Sequence, residues 1–148
     1  MRILVINGPN LNMLGIREPE IYGRMTYQEL VDYIVEKAEE AHVEVEVFQS
    51  NHEGAIVDKI QQAYQQVDGI VINPAAYTHT SVAILDALKA VAIPAVEVHL
   101  SNVKSREKFR QVSYPGQACF HTFMGEGKEG YAKAISLLKL TIEEREQA

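Results

Sequence analysis

The chain has 148 residues, which is the length of one ordinary domain and leaves little room for a second. Its composition, 47% hydrophobic and 23% charged, excludes a disordered protein, and its single cysteine, Cys119, excludes an internal disulfide and a cysteine-rich zinc site. The net charge of −6 disfavours nucleic acid and anionic membranes as partners, because both bind basic surfaces.

Short apolar runs alternate along the chain with stretches of helical periodicity. Residues 3–6 form a continuous apolar run that stops at Asn-Gly-Pro, which is typical of a strand buried on both faces. The irregular stretch that follows, residues 9–25, is too long for an ordinary connection, and such loops are usually functional or disordered. Thr26 and Glu29 form a capping-box pattern that predicts the start of a helix. Residues 43–47 alternate valine and glutamate, which predicts a strand near a sheet edge.

The second half of the chain continues these patterns. The predicted segments are, in chain order, a helix around 56–64, a buried strand over 69–73, a helix from about residue 80, a strand over 95–98, a fifth strand over 117–124 and a closing helix over 131–144. The polar tail, about 143–148, is expected to fray. A signal peptide needs about 7–15 apolar residues in a row and a spanning helix about 20. We find neither pattern and therefore expect a cytoplasmic protein.

Alternating strands and helices in a chain of this length indicate an α/β fold, a three-layer sandwich around a five-stranded parallel sheet. A flavodoxin-like topology, formed by residues 1–148 as a single domain, is the most economical arrangement with right-handed crossovers. Ligands bind outside the carboxyl ends of the strands in such a sheet. Polar side chains follow three strands at this point: Asn7, Asn10, Asn12, Arg17 and Tyr22; then Asn73, Thr78 and His79; then His99, Ser101, Asn102, Arg106 and Arg110.

Several ligand sites that are common in this fold class do not fit the sequence. The first loop lacks the GxGxxG spacing of a dinucleotide site and the Gly-Lys-Ser/Thr of a P-loop. Asn73 stands where a phosphoacceptor receiver domain needs aspartate, and no Ser or Thr precedes Thr26 to form a flavin-type phosphate loop. A metal site at His79 and His99 is conceivable, but neither an HExxH motif nor a third clustered ligand accompanies them.

Residues 99–110 form a basic segment on an acidic protein. They hold four Lys and Arg side chains against Glu107, a net charge of +3. Such a segment beside two histidines suits a small anion such as a carboxylate. For Lys104 and Lys108, a solvated and partly helical face is the simpler interpretation.

Three segments carry a resemblance to a known family. NGPNLNMLGIREPEIYG (7–23), INPAAYTHTSVAILDA (72–87) and VEVHLSNVKSREKFR (96–110) are similar, in order and at compatible spacing, to the type II 3-dehydroquinases, the 3-dehydroquinate dehydratases of the shikimate pathway. The resemblance implies a flavodoxin-like fold and a hydro-lyase reaction. That reaction is the anti elimination of water from 3-dehydroquinate through an enol or enolate to 3-dehydroshikimate, without a cofactor, a metal or a Schiff-base lysine.

The resemblance also implies catalytic roles. Tyr22 matches the family's base, and Arg17 in the same motif matches the group that stabilises its phenolate and the transition state. Asn10 matches the residue that holds a water against the enolate oxygen, and His99 matches the general acid. Glu97, two residues earlier on the same strand face, is placed to orient the imidazole of His99.

Substrate binding and assembly follow the same resemblance. The matching substrate-binding positions are Asn73, His79, the backbone of Leu100 with Ser101, Arg106 near the lid, and Arg110 as the carboxylate clamp. Asp86 matches a position that the family contributes to a neighbouring subunit's site. The family assembles as a dodecamer, a tetramer of trimers, and we expect the same here. We also expect residues 12–24 to form a lid over the site.

Other interpretations stay open at this point. Tyr22 could only pack its loop, and His79 could cap a helix. His99 could be a rim histidine with its hydrogen bonds satisfied, and Asp86 could face solvent. A non-catalytic module that binds a small carboxylate through Arg110 and Asn73 is the second functional hypothesis. Residues 117–128 are more polar than the family's fifth strand, so we expect this stretch to concern packing or subunit contacts. Within it, Cys119 is expected to be a buried thiol beside a surface histidine, and His42, His52 and His121 are expected to have no role in the site.

Overall fold

Strands and helices alternate in the part of the chain that the computed structural model describes, residues 1–16 and 18–148, with Pro19 and Tyr22 described by their backbone alone. The strands are β1 (Arg2–Asn7), β2 (Glu44–Gln49), β3 (Gly69–Asn73), β4 (Ala95–His99) and β5 (His121–Met124). The helices are α1 (Pro19–Tyr22), α2 (Tyr27–Glu40), α3 (Glu53–Gln62), α4 (Val82–Val91) and α5 (Glu129–Glu146). Among these described residues, no helix combines the length and the apolar character needed to cross a membrane.

The five strands form one sheet in the order β2-β1-β3-β4-β5, and every neighbouring pair is parallel. This is the doubly wound order of flavodoxin-like folds. The predicted α/β class and five-stranded parallel sheet are therefore confirmed. β2, predicted from its valine and glutamate alternation to lie near an edge, is an edge strand.

Alternate residues of the central strands pack on opposite faces of the sheet, as the two-residue period of a strand requires. Ile3 and Val5 of β1 pack with buried residues of α2 and α5 on one face. Leu4 and Ile6 pack with buried residues of α3 and α4 on the other. The result is the predicted three-layer sandwich, and the carboxyl ends of all five strands lie at one edge of the sheet.

Two helix starts can be compared with their predicted caps. The backbone N–H of Glu29 donates to Thr26 Oγ1 at 3.1 Å, and the N–H of Thr26 donates to the Glu29 carboxylate at 3.4 Å, so the predicted capping box is formed. The cap of α4 is Ser81, whose hydroxyl accepts from the N–H of Ile84 at 2.9 Å. His79 does not cap this helix, because it ends a separate 3₁₀ helix, Ala75–His79.

The last third of the chain departs from the predicted bounds. The fifth strand was predicted over 117–124, but β5 is limited to His121–Met124. The chain before it forms a 3₁₀ helix, Pro115–Ala118, which begins at a proline that has a fixed φ and no N–H for a strand ladder. At the other end, α5 continues to Glu146, so most of the tail expected to fray is helical. Ile142, buried against the sheet, holds this end of the helix in place.

A buried tyrosine joins the carboxyl ends of β1 and β3. Asn7 and Asn73 are register partners in the parallel ladder. The hydroxyl of Tyr131 on α5 donates to Asn7 Oδ1 at 2.6 Å and accepts from Asn73 Nδ2 at 3.0 Å. All three residues are buried, and burial raises the pKa of Tyr131, so its hydroxyl stays protonated. One side chain therefore fixes the direction of two amides at the edge where ligands are expected.

We predict that Tyr131→Phe lowers the free energy of unfolding by about 1–3 kcal/mol, because the buried Asn7 Oδ1 and Asn73 Nδ2 lose the hydroxyl that bonds to both. Urea unfolding of the variant and the wild type measures the difference. Tyr64→Phe is the control, since Tyr64 is 55% exposed. Equal losses in the two variants would show that the buried bridge adds nothing to stability.

Candidate active site

One cleft at the carboxyl edge of the sheet collects most of the predicted site residues. It encloses about 530 Å³ of empty space, part of it open to solvent. Its walls come from the loop after β1, the 3₁₀ helix after β3 and the segment after β4. The predicted residues that line it are Asn10, Asn73, His79, His99, Leu100, Ser101, Arg106 and Arg110.

The loop after β1 enters the cleft by a close approach to the loop after β3. The N–H of Gly8 donates to the carbonyl of Asn73 at 2.8 Å. A Cβ at Gly8 would lie 2.4 Å from the carbonyl oxygen of Pro74, so only glycine permits this approach. Asn10 then takes a left-handed conformation with φ of 70°, which asparagine adopts more readily than most residues. Its N–H donates to Asn51 Oδ1 at 3.0 Å, which holds the turn in the cleft wall.

Asn73 forms part of the cleft floor with both ends of its amide engaged. Its Oδ1 accepts from the N–H of Ala75 at 3.2 Å, while its Nδ2 donates to Tyr131. Ala75 itself has φ of 53°, a left-handed conformation that costs about 1–2 kcal/mol in a residue other than glycine. Such strained residues cluster at functional sites. The amide of Asn73 is thus fixed before any ligand arrives.

His79 presents a neutral imidazole to the cleft. Its Nδ1 lies 2.8 Å from the carbonyl oxygen of Val112, which can only accept, so Nδ1 carries the proton. Burial lowers the pKa of His79, and the positive charges of Arg110 and His99 lower it further, against the opposite effect of the Val112 contact. The ring is therefore neutral at physiological pH, and its Nε2 is an acceptor for a ligand hydroxyl.

His99 and Glu97 form a buried pair at the end of β4. His99 Nε2 lies 2.8 Å from Glu97 Oε2, and the two residues are 5% and 2% exposed. Burial alone raises the pKa of the Glu97 carboxyl, but hydrogen bonds from His99, from Ser113 and from Thr122 outweigh it, so this pKa lies below its ordinary value. The carboxylate is ionised at neutral pH, and the Nε2 that faces it must carry a proton.

Two arginines supply the positive charge of the cleft. The side chains of Arg106 and Arg110 are 13% and 19% exposed, whereas that of Glu107 is 54% exposed. Arg110 Nε donates to Glu107 Oε2 at 2.6 Å, and Arg106 Nε lies 4.0 Å from the same oxygen. Both guanidinium groups thus line the cleft beside an acidic side chain that water already reaches.

Four predicted site residues are not among those that line this cleft. Arg17 lies outside the described residues, and so does the side chain of Tyr22, whose backbone ends α1. Glu97 contacts His99, but it is not among the described residues that line the cleft. Asp86 is exposed on α4 and stands apart from the described lining.

Residues that sequence reasoning missed surround Glu97. The hydroxyl of Ser113 donates to Glu97 Oε2 at 2.7 Å, and the hydroxyl of Thr122 donates to Oε1 at 3.0 Å. Thr122 is the register partner of Glu97 across the parallel ladder of β4 and β5. Only a correct register for the fifth strand could have revealed this contact.

The stretch 117–128 contains a cysteine and a histidine that could have suggested metal or redox chemistry. Burial, followed by the negative charge of Glu97, raises the pKa of the Cys119 thiol to about 12, so it stays protonated. His121 is exposed, with its ring centroid 4.5 Å from that of Phe123. Within the described residues, no three His, Cys, Asp or Glu side chains group closely enough to bind a metal ion.

Comparisons with known proteins agree with the motifs. A family model described as Dehydroquinase class II matches residues 1–139. The 3-dehydroquinate dehydratase of Clostridium acetobutylicum is 54% identical over 139 residues, which cover 94% of this chain and 96% of that protein. The corresponding protein of Lachnospira eligens is 58% identical over 137 residues, covering 91% and 93%. The crystal structure of type II dehydroquinase from Butyrivibrio crossotus is similar with a TM-score of 0.92 at 56% identity, covering 94% and 97%.

The lowered pKa of Glu97 predicts how stability depends on pH. Its folded pKa lies below its unfolded one, so the stabilisation is complete above the unfolded value, about 4.3, and is lost as pH falls through the folded value. We predict that Glu97→Gln lowers the free energy of unfolding by about 2–3 kcal/mol at neutral pH. The difference from the wild type should shrink below about pH 4.

Urea unfolding over this pH range measures the effect of Glu97→Gln. Glu36→Gln is the control, since Glu36 is exposed on α2. A difference between Glu97→Gln and the wild type that stays constant or grows in acid contradicts the prediction.

Proposed function

The chain belongs to the class II dehydroquinase family and is a hydro-lyase of that family, and we propose that it removes water from 3-dehydroquinate by a cofactor-free anti elimination through an enol or enolate, giving 3-dehydroshikimate. One observation carries this proposal: two guanidinium groups, a neutral imidazole acceptor and a buried imidazole–carboxylate pair line or adjoin a single cleft. A carboxylate-bearing cyclic hydroxy ketone needs these groups for binding and for protonation of its leaving hydroxyl.

Tyr22 is the proposed base that removes the proton beside the ketone. A free phenol has a pKa of about 10, so a phenolate at neutral pH needs stabilisation by about 4 kcal/mol. Arg17, five residues earlier in the same motif, is the proposed source of that stabilisation and also acts on the transition state. The support for both roles is the sequence motif REPEIYG, which ends just after α1.

His99 is the proposed acid for the departing hydroxyl. In the protonated ring both nitrogens carry hydrogen, and the Nε2–H remains bonded to Glu97. The Nδ1 proton passes to the leaving oxygen as its bond to carbon breaks with the electron pair, so that water departs and His99 is left neutral. Asn10, which also lines the cleft, is proposed to hold a water against the enolate oxygen. The buried contact with Glu97 supports the acid role, because it fixes the orientation of the ring and holds the proton on Nε2.

Substrate binding is proposed to use the charges and amides already fixed in the cleft. Arg110 binds the substrate carboxylate, with Arg106 adding positive charge. Glu107, the present partner of Arg110, is half exposed, so water weakens this ion pair and a substrate carboxylate can replace it. His79 Nε2 accepts from a substrate hydroxyl. Asn73 and the backbone of Leu100 with Ser101 supply the remaining polar contacts.

Residues 12–24 are proposed to close over the bound substrate as a lid. Apolar side chains in this segment are exposed: Ile16 is 74% exposed, Met13 41% and Ile21 37%. Ile21 also lines a second, more open cavity, which shares Ser101 and Arg106 with the cleft. Closure would bury this apolar surface and exclude water from the reacting groups.

The central test is the ultraviolet absorbance of the conjugated enone product. We predict product formation from 3-dehydroquinate in the presence of a chelator and of borohydride, since neither a metal nor a Schiff base takes part. Absence of product, or inactivation by borohydride together with substrate, would contradict the proposal.

Tyr22→Phe should abolish turnover and leave substrate affinity largely intact, because it removes only the base. Tyr64→Phe is the matched control and should behave as the wild type, since Tyr64 is exposed on the surface. Binding without turnover in the wild type, with no effect of Tyr22→Phe, would instead favour a carboxylate-binding module.

The proposed assembly is a dodecamer in which Asp86 reaches a neighbouring subunit's site. Its support is the exposure of Asp86 on α4 together with the 50% exposure of apolar Val82 on the same helix. We predict that Asp86→Ala reduces kcat/KM about tenfold or more while light scattering still shows the dodecamer. Lys89→Ala, another exposed change on α4, is the control. A stable and fully active monomer would exclude a shared site.

A further inference from the structure

The acid of the proposed reaction depends on a carboxylate that the cleft does not reach. Glu97 is buried next to His99, and three hydrogen-bond donors contact its carboxylate oxygens. His99 Nε2 and the Ser113 hydroxyl bond to Oε2, at 2.8 Å and 2.7 Å, and the Thr122 hydroxyl bonds to Oε1 at 3.0 Å. Both carboxylate oxygens are therefore held, and the plane of the carboxylate is fixed.

The direction of the Ser113 hydrogen bond is set by a further contact. The N–H of Gly116 donates to Ser113 Oγ at 3.0 Å. Since the serine oxygen accepts there, its own proton is free to point at Glu97 Oε2. The chain of donors runs in one direction, from a backbone amide through a hydroxyl to the carboxylate. An N–H cannot reverse its role, so the hydroxyl is kept as a donor to Glu97.

Gly116 also makes room for this arrangement. A Cβ at this position would lie 2.5 Å from Glu97 Oε1 and 2.6 Å from Ser113 Oγ. Both distances are far shorter than van der Waals contact, so any residue larger than glycine must displace the carboxylate or the serine. The 3₁₀ helix Pro115–Ala118 thus places a glycine against Glu97 and an amide against Ser113.

Thr122 reaches Glu97 through the pairing of the sheet. The two residues are register partners in the parallel strands β4 and β5, so their side chains stand on the same face as neighbours. A threonine at this position keeps a strand-favouring, β-branched shape while adding a hydroxyl donor. The carboxylate is accordingly held from two elements, the turn at Ser113 and the strand at Thr122.

We propose that Ser113 and Thr122 are positioning residues that hold Glu97 so that the imidazole of His99 keeps its proton on Nε2 and presents Nδ1 to the cleft. This inference rests on the proposed acid role of His99. An ionised carboxylate only accepts, so the ring nitrogen that faces it is protonated in both charge states of the ring. The proton that leaves for the substrate is then always the one on Nδ1. If Glu97 turns away, the neutral ring can carry its proton on either nitrogen. The tautomer with the proton on Nδ1 has no lone pair there, so Nδ1 cannot be protonated again for the next turnover.

The test removes the Thr122 hydroxyl without changing the shape of the side chain. We expect Thr122→Val to lower kcat about ten- to a hundredfold, the usual effect of losing a partner of a reacting group, with a smaller change in KM. Valine favours strands at least as much as threonine, so the variant should fold. Thr122→Ser keeps the hydroxyl and should recover most of the loss. Thr141→Val, on α5, is the matched control and should leave kcat unchanged.

The second readout is the tautomer of His99, which is measured without any turnover. Magic-angle-spinning ¹⁵N NMR of the histidine-labelled protein at about pH 9, where an ordinary imidazole is neutral, distinguishes the two tautomers. The His99 signals are assigned by their loss in His99→Asn. We expect Nε2–H alone in the wild type, and a mixture of tautomers in Thr122→Val combined with Ser113→Ala.

Each outcome decides the inference. A lower kcat with mixed tautomers and recovery in Thr122→Ser supports it. An unchanged kcat in Thr122→Val overturns it, and so does a lower kcat in a double variant that keeps the single Nε2–H tautomer. If the wild type forms no product, the proposed function fails, but the NMR comparison still decides whether the two hydroxyls fix the imidazole. If His99 in the wild type already shows a mixture of tautomers, the inference is overturned, whatever the activity.

Discussion

The buried amides and the buried carboxylate at the carboxyl edge of this sheet are all hydrogen-bonded to neighbouring side chains, and the site is built on those bonds. A parallel sheet brings all its strand ends to one edge, and an unpaired buried donor or acceptor there costs about 1–3 kcal/mol. Asn7 and Asn73 avoid this cost through one tyrosine hydroxyl, that of Tyr131. Glu97 avoids it through His99 and two hydroxyls. The hydrogen bonds that stabilise the edge are therefore the ones that set the directions of amides and imidazole in the cleft.

The two carboxylates near the cleft play different parts because they differ in exposure. Glu107 is half exposed, so its ion pair with Arg110 is weakened by water and can be exchanged for a ligand carboxylate. Glu97 is almost fully buried and has hydrogen-bond donors on both carboxylate oxygens, so removing a partner leaves a buried charge with less compensation. Beside the positively charged cleft, Glu107 thus carries a negative charge that a ligand can replace, and Glu97 carries one that stays in place.

The parts of this architecture that depend on local pattern could be predicted from the sequence. Residues 3–6 and 70–72 are apolar throughout, which identifies central strands, and the residues after them reach the cleft as chain order requires. The contact of Glu97 with His99 followed from their two-residue spacing. The Tyr131 bridge could not be foreseen, because its partner Asn7 is 124 residues away. The start of β5 was missed because a proline-led 3₁₀ helix runs to Ala118 and the strand begins only at His121.

The polar character of the fifth strand has a physical reason at one position. β5 is an edge strand, so its residues are only partly buried and polar side chains are tolerated there. Thr122 faces the one buried carboxylate of the neighbouring strand, where an apolar side chain of the same shape would leave Glu97 Oε1 without its donor. The polar residue Thr122 in this strand is thus explained by the Glu97 carboxylate on the neighbouring strand. For the same reason, the register of β5 matters to the site even though Thr122 is outside the described lining of the cleft.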